Sequence, residues 1–485
     1  MSYREREHLY NEKNGDTMQS RQAVGGDESN EKTRLQKPVK LQPSWEENNL
    51  SEAELNFRNL TMDEASLQIH TPPDRYSFIY IIFLIHGIAT LLPWNVFINA
   101  KSYFISYKLG KSYIGFDFPY VGNFMQILTF CSQVPNVIFN WFNIFMPIKG
   151  DLTVRIMWSI VINILLFIMT VVLAMVDSSA WPYEFFYITM ASVVILSMSN
   201  GVYQNTVYGM AAKLPPKYTG AVILGNNISG TFTTIICIAF EYVSTSKRMA
   251  AIWYFITALF VLLIGFDTYF ALPLNRFYRH YDIKHKKQQE QRINQENVTG
   301  SPPYFKIFKQ VWPQLYNVFL VFFVTLSVFP SIQSDIKVSD SGFLITDDFL
   351  YTQILCFFTF NIFAMIGSIL PSFFIWPSKK YLWIPLTLRL LYIPFYLFCN
   401  YQPEKITRIL PVVITNDYVY WVVAATMAIT SGYFSALAMM YTPSTVDSQY
   451  ASIAGMFAGA ALISGIFAGI LISFLWPWLI GHIGW

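Results

Sequence analysis

The sequence predicts an all-α polytopic membrane protein with eleven transmembrane helices, and three observations indicate this class. Hydrophobic residues make up 54% of the 485 residues, only 13% are charged, and apolar runs of about twenty residues follow one another from Phe78 onward. A soluble protein carries about 25% charged residues, and about twenty residues are needed to cross the hydrocarbon core of a bilayer. The composition argues against a soluble enzyme, and a net charge of +3 is too small to indicate nucleic acid as a partner.

Residues 1–75 differ from the rest of the chain because they are polar, mixed in charge and poor in apolar runs. Such a segment cannot bury enough apolar surface to offset the entropy cost of ordering it. We therefore predict a disordered cytoplasmic tail over residues 1–75.

The apolar runs that follow form two groups, separated by a hydrophilic segment. The predicted spans are 78–99, 121–145, 154–176, 184–212, 219–243 and 249–272, and then 314–334, 348–375, 382–400, 418–441 and 450–480. The prediction is thus a first six-helix bundle over 76–273, a basic cytoplasmic loop over 274–310 and a second five-helix bundle over 311–485. A division into six and five helices hints at two related halves, and transporters built from repeats hold their substrate between the halves.

Lysines and arginines in the loops predict the orientation, since cytoplasmic loops carry an excess of them. Twelve lie on the side of the N-terminus and the 274–310 loop, against eight on the opposite side. This bias predicts a cytoplasmic N-terminus and, after eleven crossings, an extracellular C-terminus. We expect an integral protein of the plasma membrane in contact with membrane lipid; the sequence does not indicate an oligomeric state.

The fourth span carries a stripe of polar side chains. Ser197, Asn200, Gln204 and Tyr208 recur at intervals of three and four residues, which places them on one helix face. One interpretation is a cavity wall that offers amide donors and acceptors to a solute. The other is hydrogen bonding between helices, which contributes under about 1 kcal/mol for each bond.

The eighth span repeats this arrangement with an aromatic residue, an amide and two small residues: Phe357, Asn361, Ala364 and Ser368. A ring for stacking and an amide for hydrogen bonds suit a flat heterocyclic ligand. An ordinary packed helix is the alternative interpretation.

Ionisable residues inside the spans are few, and they include Arg389 in the ninth span and Asp267 near the end of the sixth. Ion-coupled transporters usually need carboxylates at membrane depth, and ATP-driven transport would need a GxxxxGK[ST] phosphate loop, which the sequence lacks. We therefore expect a passive carrier of a mostly neutral small molecule. No cofactor, metal site or enzymatic activity is expected.

From about residue 75 to its end, the chain resembles the equilibrative nucleoside transporters. The resemblance rests on long motifs in the same order: GIATLLPWNVFINAKSYF, YGMAAKLPPKYTGAVILGNNISG, LPLNRFYRHY, FFTFNIF, LRLLYIPFYLFCN and SGYFSALAMMYTP. It implies a major-facilitator-like arrangement of the eleven helices. It also implies facilitated diffusion of nucleosides or nucleobases by alternating access through a central cavity.

The resemblance further assigns roles to individual residues. Four positions match the substrate-binding residues of the family: Trp94, Gln204, Phe357 and Asn361. Arg155 matches a gating arginine, and Arg389 matches the arginine of the ninth span.

One departure from the family pattern concerns the eighth span. The family has an Asp and, four residues later, an Arg that contact the substrate, whereas this chain has Ala364 and Ser368. The loss of a charge-assisted hydrogen bond costs about 1.5–3 kcal/mol. Three hypotheses follow: a carrier of nucleosides or nucleobases, a carrier of the same fold for another small solute such as an amine or a different heterocycle, and a transport-inactive scaffold or sensor.

Overall fold

A computed structural model describes the chain over residues 72–101, 103–121, 124–145, 152–244, 246–296, 302–340, 342–403 and 407–482. The predicted disordered tail lies almost entirely outside the described residues. Its last part is an exception: the Asp74 carboxylate accepts hydrogen bonds from the backbone of Ile79, at 3.1 Å, and from the Tyr218 hydroxyl, at 2.9 Å. These contacts tie the start of the first helix to the bundle.

Helices account for nearly all of the described structure. In the first group they are α1 (Phe78–Asn99), α2 (Phe124–Phe145), α3 (Leu152–Met175), α4 (Pro182–Ala211), α5 (Pro216–Val243) and α6 (Lys247–Ala271), followed by α7 (Arg276–Glu296). The second group comprises α8 (Tyr304–Val328), α9 (Thr352–Ser372), α10 (Trp383–Phe398), α11 (Asp417–Tyr441) and α12 (Ala451–Ser473). Short helices occur at Lys111–Ile114, Asp348–Tyr351 and Leu475–His482.

The prediction of an all-α polytopic fold is confirmed, whereas the exact count of eleven crossings is not. Within the described residues, nine helices are long and apolar enough to cross a membrane. The other two predicted spans are also helical, but α2 contains five buried polar residues and α10 has only 16 residues. A helix of that length falls short of the roughly 30 Å hydrocarbon core when it runs straight across.

The segment predicted as a basic loop over 274–310 is largely helical. It contains α7, and α8 begins at Tyr304 rather than near residue 314. The Asn275 side chain accepts a hydrogen bond from the Phe277 backbone at 2.8 Å, as helix-capping residues do. The polar residues of this segment, mainly Lys, Gln, Glu and Arg, also favour helix over coil.

Polar contacts help to hold helix α7 to the bundle, beside the packing of Phe277 against Tyr218. Asp282 pairs with Lys213, at 3.3 Å, and with Lys286, at 2.9 Å, and His285 is hydrogen-bonded to the backbone of Gln449. Lys213 follows α4 and Gln449 precedes α12, so α7 contacts both helical groups. Burial, together with nearby Lys213, lowers the pKa of His285 to about 4.

This contact predicts a pH dependence for the docking of α7. The docked helix keeps His285 neutral, whereas a released helix takes up a proton near the ordinary pKa of 6.5. Docking is therefore fully stable above that pH and weakens as the pH falls towards 4. We expect lower hydrogen-exchange protection of residues 276–286 at pH 5.5 than at pH 7.5, after correction for intrinsic rates. His285→Gln should remove most of the difference; equal protection of wild-type α7 at both pH values would contradict the account.

Two pairs of helices, one in each group, approach closely through glycines. A Cβ atom at Gly87 or Gly225 would overlap the backbone of the facing helix in the α1–α5 pair. Gly367 and Gly432 have the same role between α9 and α11, where the Gly432 position meets the carbonyl oxygen of Ala364. Such contacts are typical of membrane helices, whose association depends on close packing rather than on a hydrophobic driving force.

Helix α12 packs against both groups. Gly455 and Gly459 lie against Tyr208 of α4, whereas Gly465 and Gly469 lie against the backbone carbonyls of α8. Additional contacts between the groups join α5 to α9 and α11, and α2 to α12. We call the end of the bundle that holds Phe78, Ala211 and Ala451 the proximal end, and the opposite end, with Asn99 and Ser473, the distal end.

Candidate functional site

A central cavity of about 140 Å³ lies between the two helical groups. Eight of its lining residues share a carboxamide side chain: Asn95, Gln133, Asn136, Asn200, Gln204, Asn226, Asn227 and Asn361. Four more carry hydroxyls: Thr90, Thr325, Ser431 and Ser435. None of the described residues that line this cavity is charged.

The carboxamides are distributed unequally between the groups. Seven of the eight belong to α1, α2, α4 and α5, and only Asn361 belongs to the second group. The second group contributes mainly apolar side chains, among them Phe322, Leu326, Phe329 and Phe360. The cavity therefore has a polar wall of amides opposite a largely apolar and aromatic wall.

Several of these amides are already committed to protein partners. The Asn226 side chain donates to the Tyr208 hydroxyl at 2.7 Å and accepts from the Thr90 hydroxyl at 2.9 Å. Asn95 donates to Ser229 at 3.3 Å. These residues stiffen the α1–α5 side of the cavity.

Other amides have buried atoms with no hydrogen-bond partner in the protein. In Gln204 these are both Oε1 and Nε2, and in Gln133, Asn136 and Asn200 they are the carbonyl oxygens. A buried polar atom without a partner costs about 1–3 kcal/mol in proteins. Binding of a solute to these groups would therefore break no hydrogen bond within the protein.

Aromatic rings provide flat surfaces across the cavity. Phe329 and Phe360 stack with ring centroids 3.8 Å apart and planes inclined by 15°. Trp94 lines the cavity from α1, on the side of the amides. Rings and amides together suit a flat, uncharged molecule with a polar edge.

Three of the four residues predicted to bind substrate line this cavity: Trp94, Gln204 and Asn361. Phe357 is not among the lining residues; its ring meets Phe329 edge-on at 5.9 Å, and Phe360 occupies the wall instead. The first part of α9, Thr352–Phe358, is π-helical, which changes the angular position of Phe357 relative to a regular α-helix.

The polar stripe of α4 serves both of the purposes that the sequence left open. Asn200 and Gln204 line the cavity. Ser197 instead donates to Ser132 of α2 at 3.1 Å, and Tyr208 accepts from Asn226. The stripe is thus a cavity wall at its centre and a set of interhelical hydrogen bonds at its ends.

Ala364 and Ser368, the two positions that depart from the family pattern, are buried and do not line the cavity. Ser368 donates to the carbonyl of Met365 within its own helix at 2.8 Å. Both residues lie where α9 packs against Gly432 of α11.

Arg155 begins a chain of hydrogen bonds at the proximal end. Its guanidinium donates to the Asn143 carbonyl and side-chain oxygens at 2.8 and 3.0 Å. Asn143 donates to Asn205 at 2.9 Å, and Asn205 donates to the backbone of Met456 at 2.6 Å. This chain connects α3, α2 and α4 to α12, so it joins the two groups on the proximal side of the cavity.

Arg389 lies in the second group and is 3% exposed. It donates to the Thr325 hydroxyl at 2.9 Å, and Thr325 lines the cavity. Arg389 therefore stands immediately behind the cavity wall.

The sequence reasoning missed the contribution of α2 and α5. Gln133 and Asn136, three residues apart on α2, and the adjacent Asn226 and Asn227 on α5 all line the cavity. Amides spaced by three within an apolar helix were a visible signal, similar to that of α4. The described residues contain no group of three or more His, Cys, Asp or Glu side chains that could hold a metal ion.

A bundle of apolar helices in two groups around a central uncharged cavity defines an integral membrane protein with a transporter architecture. The structure is similar to that of the major facilitator superfamily proton:xylose symporter XylE. The TM-score is 0.60, with 10% sequence identity, over 84% of this chain and 90% of that chain. This likeness confirms the predicted fold class.

The chain belongs to the nucleoside transporter family, because the family model described as "Nucleoside transporter" matches residues 190–478. It is 29% identical to human equilibrative nucleoside transporter 1 over 84% of this chain and 98% of that protein. Human equilibrative nucleoside transporter 2 is also 29% identical, over 84% of this chain and 99% of that protein. Equilibrative nucleotide transporter 1 of Arabidopsis thaliana is 25% identical, over 84% of this chain and 87% of that protein. The resemblance to equilibrative nucleoside transporters is confirmed.

Proposed function

We propose that this protein is a facilitative carrier that moves nucleosides or nucleobases across a membrane by alternating access. The observation that carries the proposal is the row of unpartnered amides around Gln204, opposite the stacked rings of Phe329 and Phe360, in a chain of the nucleoside transporter family. Bases present alternating donors and acceptors on their edges, which Asn and Gln match in pairs. Stacking of a base on an aromatic ring contributes about 1–3 kcal/mol.

In this proposal Gln204 and Asn361 hydrogen-bond the base, and Trp94 covers one of its faces. Phe357 acts indirectly, by supporting the ring of Phe329 from behind. Since the lining residues carry no charge, hydroxyls of a ribose would meet only neutral partners such as Ser431 and Ser435. Nucleobases are therefore expected to bind nearly as well as their ribonucleosides.

The proximal end is assigned to the cytoplasm, which the excess of Lys and Arg in the proximal loops supports. The plasma membrane is our proposal for the location of the protein. Arg155 then serves as a gate residue through Asn143 and Asn205. Release of solute to the cytoplasm requires these hydrogen bonds to α12 to break and to form again in each cycle.

An amine carrier of the same fold is less well supported, because a cavity for cations would be expected to include a carboxylate. The scaffold hypothesis depends on the segment 1–75 and on the basic segment 274–310 as binding sites for partners, and segment 1–75 lies almost entirely outside the described residues.

The direct test is uptake of radiolabelled uridine, adenosine and hypoxanthine into cells that lack endogenous nucleoside transport, with surface biotinylation to confirm the amount of protein. We expect saturable uptake of at least one of the three that unlabelled nucleosides inhibit. Absence of uptake over a full panel of nucleosides and nucleobases, with the protein at the surface, would reject the proposal.

A further inference from the structure

Arg389 is a buried cation whose charge is not balanced by an acid. Its Nη2 donates to Thr325 at 2.9 Å and to the Met427 carbonyl at 3.4 Å, whereas Nε and Nη1 have no hydrogen-bond partner in the protein. The ionisable neighbours that act on it are the phenols of Tyr392 and Tyr396. Within the described part of the chain, the ion pairs involve lysines elsewhere, at positions 111, 213, 286 and 337.

A single side chain separates this charge from the cavity. Thr325 accepts the hydrogen bond from Arg389 and lines the cavity, and its Oγ1 is 3.0 Å from Oγ of Ser431, which also lines it. The Thr325 hydroxyl donates its own proton to the Val321 carbonyl at 2.7 Å. Because that proton is used in this bond, the oxygen of Thr325 accepts from Ser431, so the two hydroxyls link Arg389 to the cavity wall.

The unbalanced positive charge of Arg389 should repel cationic solutes from the cavity. Charged residues at membrane depth that face the interior of a bundle usually mark the transport path, and a fixed arginine beside a pore excludes cations. A second positive charge roughly 8 Å away, at an effective dielectric constant of about 20, is disfavoured by a factor of about 30. Neutral solutes do not meet this repulsion.

We propose that Arg389 is a charge filter: its positive charge, acting through Thr325, excludes cationic solutes from the central cavity and so restricts transport to uncharged heterocycles. This inference rests on the proposed function and adds to it a residue that sets solute selectivity without touching the solute. Amide oxygens alone would attract organic cations, and the charge of Arg389 would oppose that attraction.

The test compares two isomers of methylated adenosine that differ in charge. At neutral pH, 1-methyladenosine carries a positive charge on its base and N6-methyladenosine does not. The measurement is the ratio of their inhibition constants against uridine uptake. In the wild-type protein the cation should be the far weaker inhibitor, and Arg389→Gln should narrow the ratio by a factor of about 30, as expected for loss of the repulsion. Arg389→Lys, which keeps the charge, should preserve the ratio, a result that a merely structural role does not predict.

A second substitution balances the positive charge while Arg389 itself stays in place. Ser431→Asp puts a carboxylate on the wall beside Thr325, where it can balance the guanidinium, so it should also narrow the ratio. Ser431→Asn is the matched control, similar in size and uncharged, and should leave the ratio close to that of the wild type. Lys337→Gln is a control for charge removal elsewhere, because Lys337 is exposed, lies outside the cavity and pairs with Asp348 at 3.3 Å. This substitution should leave the ratio of the two inhibition constants unchanged.

The outcomes separate the filter from the function. Retained uridine uptake with an unchanged isomer ratio in both Arg389→Gln and Ser431→Asp would overturn the filter alone. If Arg389→Gln does not reach the cell surface, the test is the isomer ratio of Ser431→Asp compared with that of Ser431→Asn. An equal ratio in these two variants would then overturn the filter. If the wild-type protein neither takes up nucleosides nor is stabilised by either isomer after purification, the proposed function fails and the filter fails with it.

Discussion

Gln204→Leu should reduce nucleoside affinity by roughly ten- to a hundredfold, the loss expected when two hydrogen bonds to a solute are removed. The same change should leave the melting temperature of the purified protein unchanged or slightly raised. Both amide atoms of Gln204 are buried without a partner in the protein, so leucine breaks no internal hydrogen bond and relieves a desolvation cost. Uptake kinetics and thermal unfolding of the same preparation measure the two effects.

The neighbouring residue gives a matched control. Asn205 is equally buried, but its side chain donates to Asn140 and to Met456 and accepts from Asn143. Asn205→Leu should therefore lower the melting temperature clearly, since it leaves several buried groups unpaired. If Gln204→Leu kept the wild-type affinity, or lost as much stability as Asn205→Leu, Gln204 would not be a substrate residue.

Gly432→Ala should be the most damaging single-methyl substitution in the second group. A Cβ at this position overlaps the Ala364 carbonyl and meets the Ser368 backbone nitrogen at 2.9 Å, so α9 and α11 must separate. Overpacking of this kind costs about 1–3 kcal/mol and occasionally more. Because α9 carries Asn361 and α11 carries Ser431, the separation should also distort the cavity, and both surface expression and uptake should fall.

Gly220→Ala is the control for this effect. The nearest atom to a Cβ at Gly220 is Sδ of Met440, at 3.2 Å, at the end of a flexible side chain that can move. Alanine also favours helix over glycine by about 1 kcal/mol, so this variant should be as stable as the wild type or more so. Equal melting temperatures for both glycine variants would show that the α9–α11 contact is not tight.

The positions of the helices could be predicted because apolar runs of membrane length are unambiguous in the sequence. Helix α7 was missed because most of its residues are polar and its few apolar side chains give no strong helical periodicity. It is held by the packing of Phe277 against Tyr218 and by polar contacts such as that between Asp282 and Lys213, which become visible only after folding.

The cavity was predicted in part. The polar spacing on α4 identified Asn200 and Gln204, but a regular helical period cannot anticipate the π-helical turn that places Phe360, rather than Phe357, on the wall. The position of Arg389 behind Thr325 depends on the packing of α10 against α8. No spacing within a single span contains that information.

The most direct test of the central claim is transport by the purified protein in liposomes without any ion gradient or ATP. A carrier with a neutral cavity and no energy source should fill the liposomes with uridine or hypoxanthine until the internal and external concentrations are equal. Imposed proton or sodium gradients should leave this end point unchanged. Accumulation above the external concentration under such a gradient, or no entry of any nucleoside or nucleobase, would contradict the account.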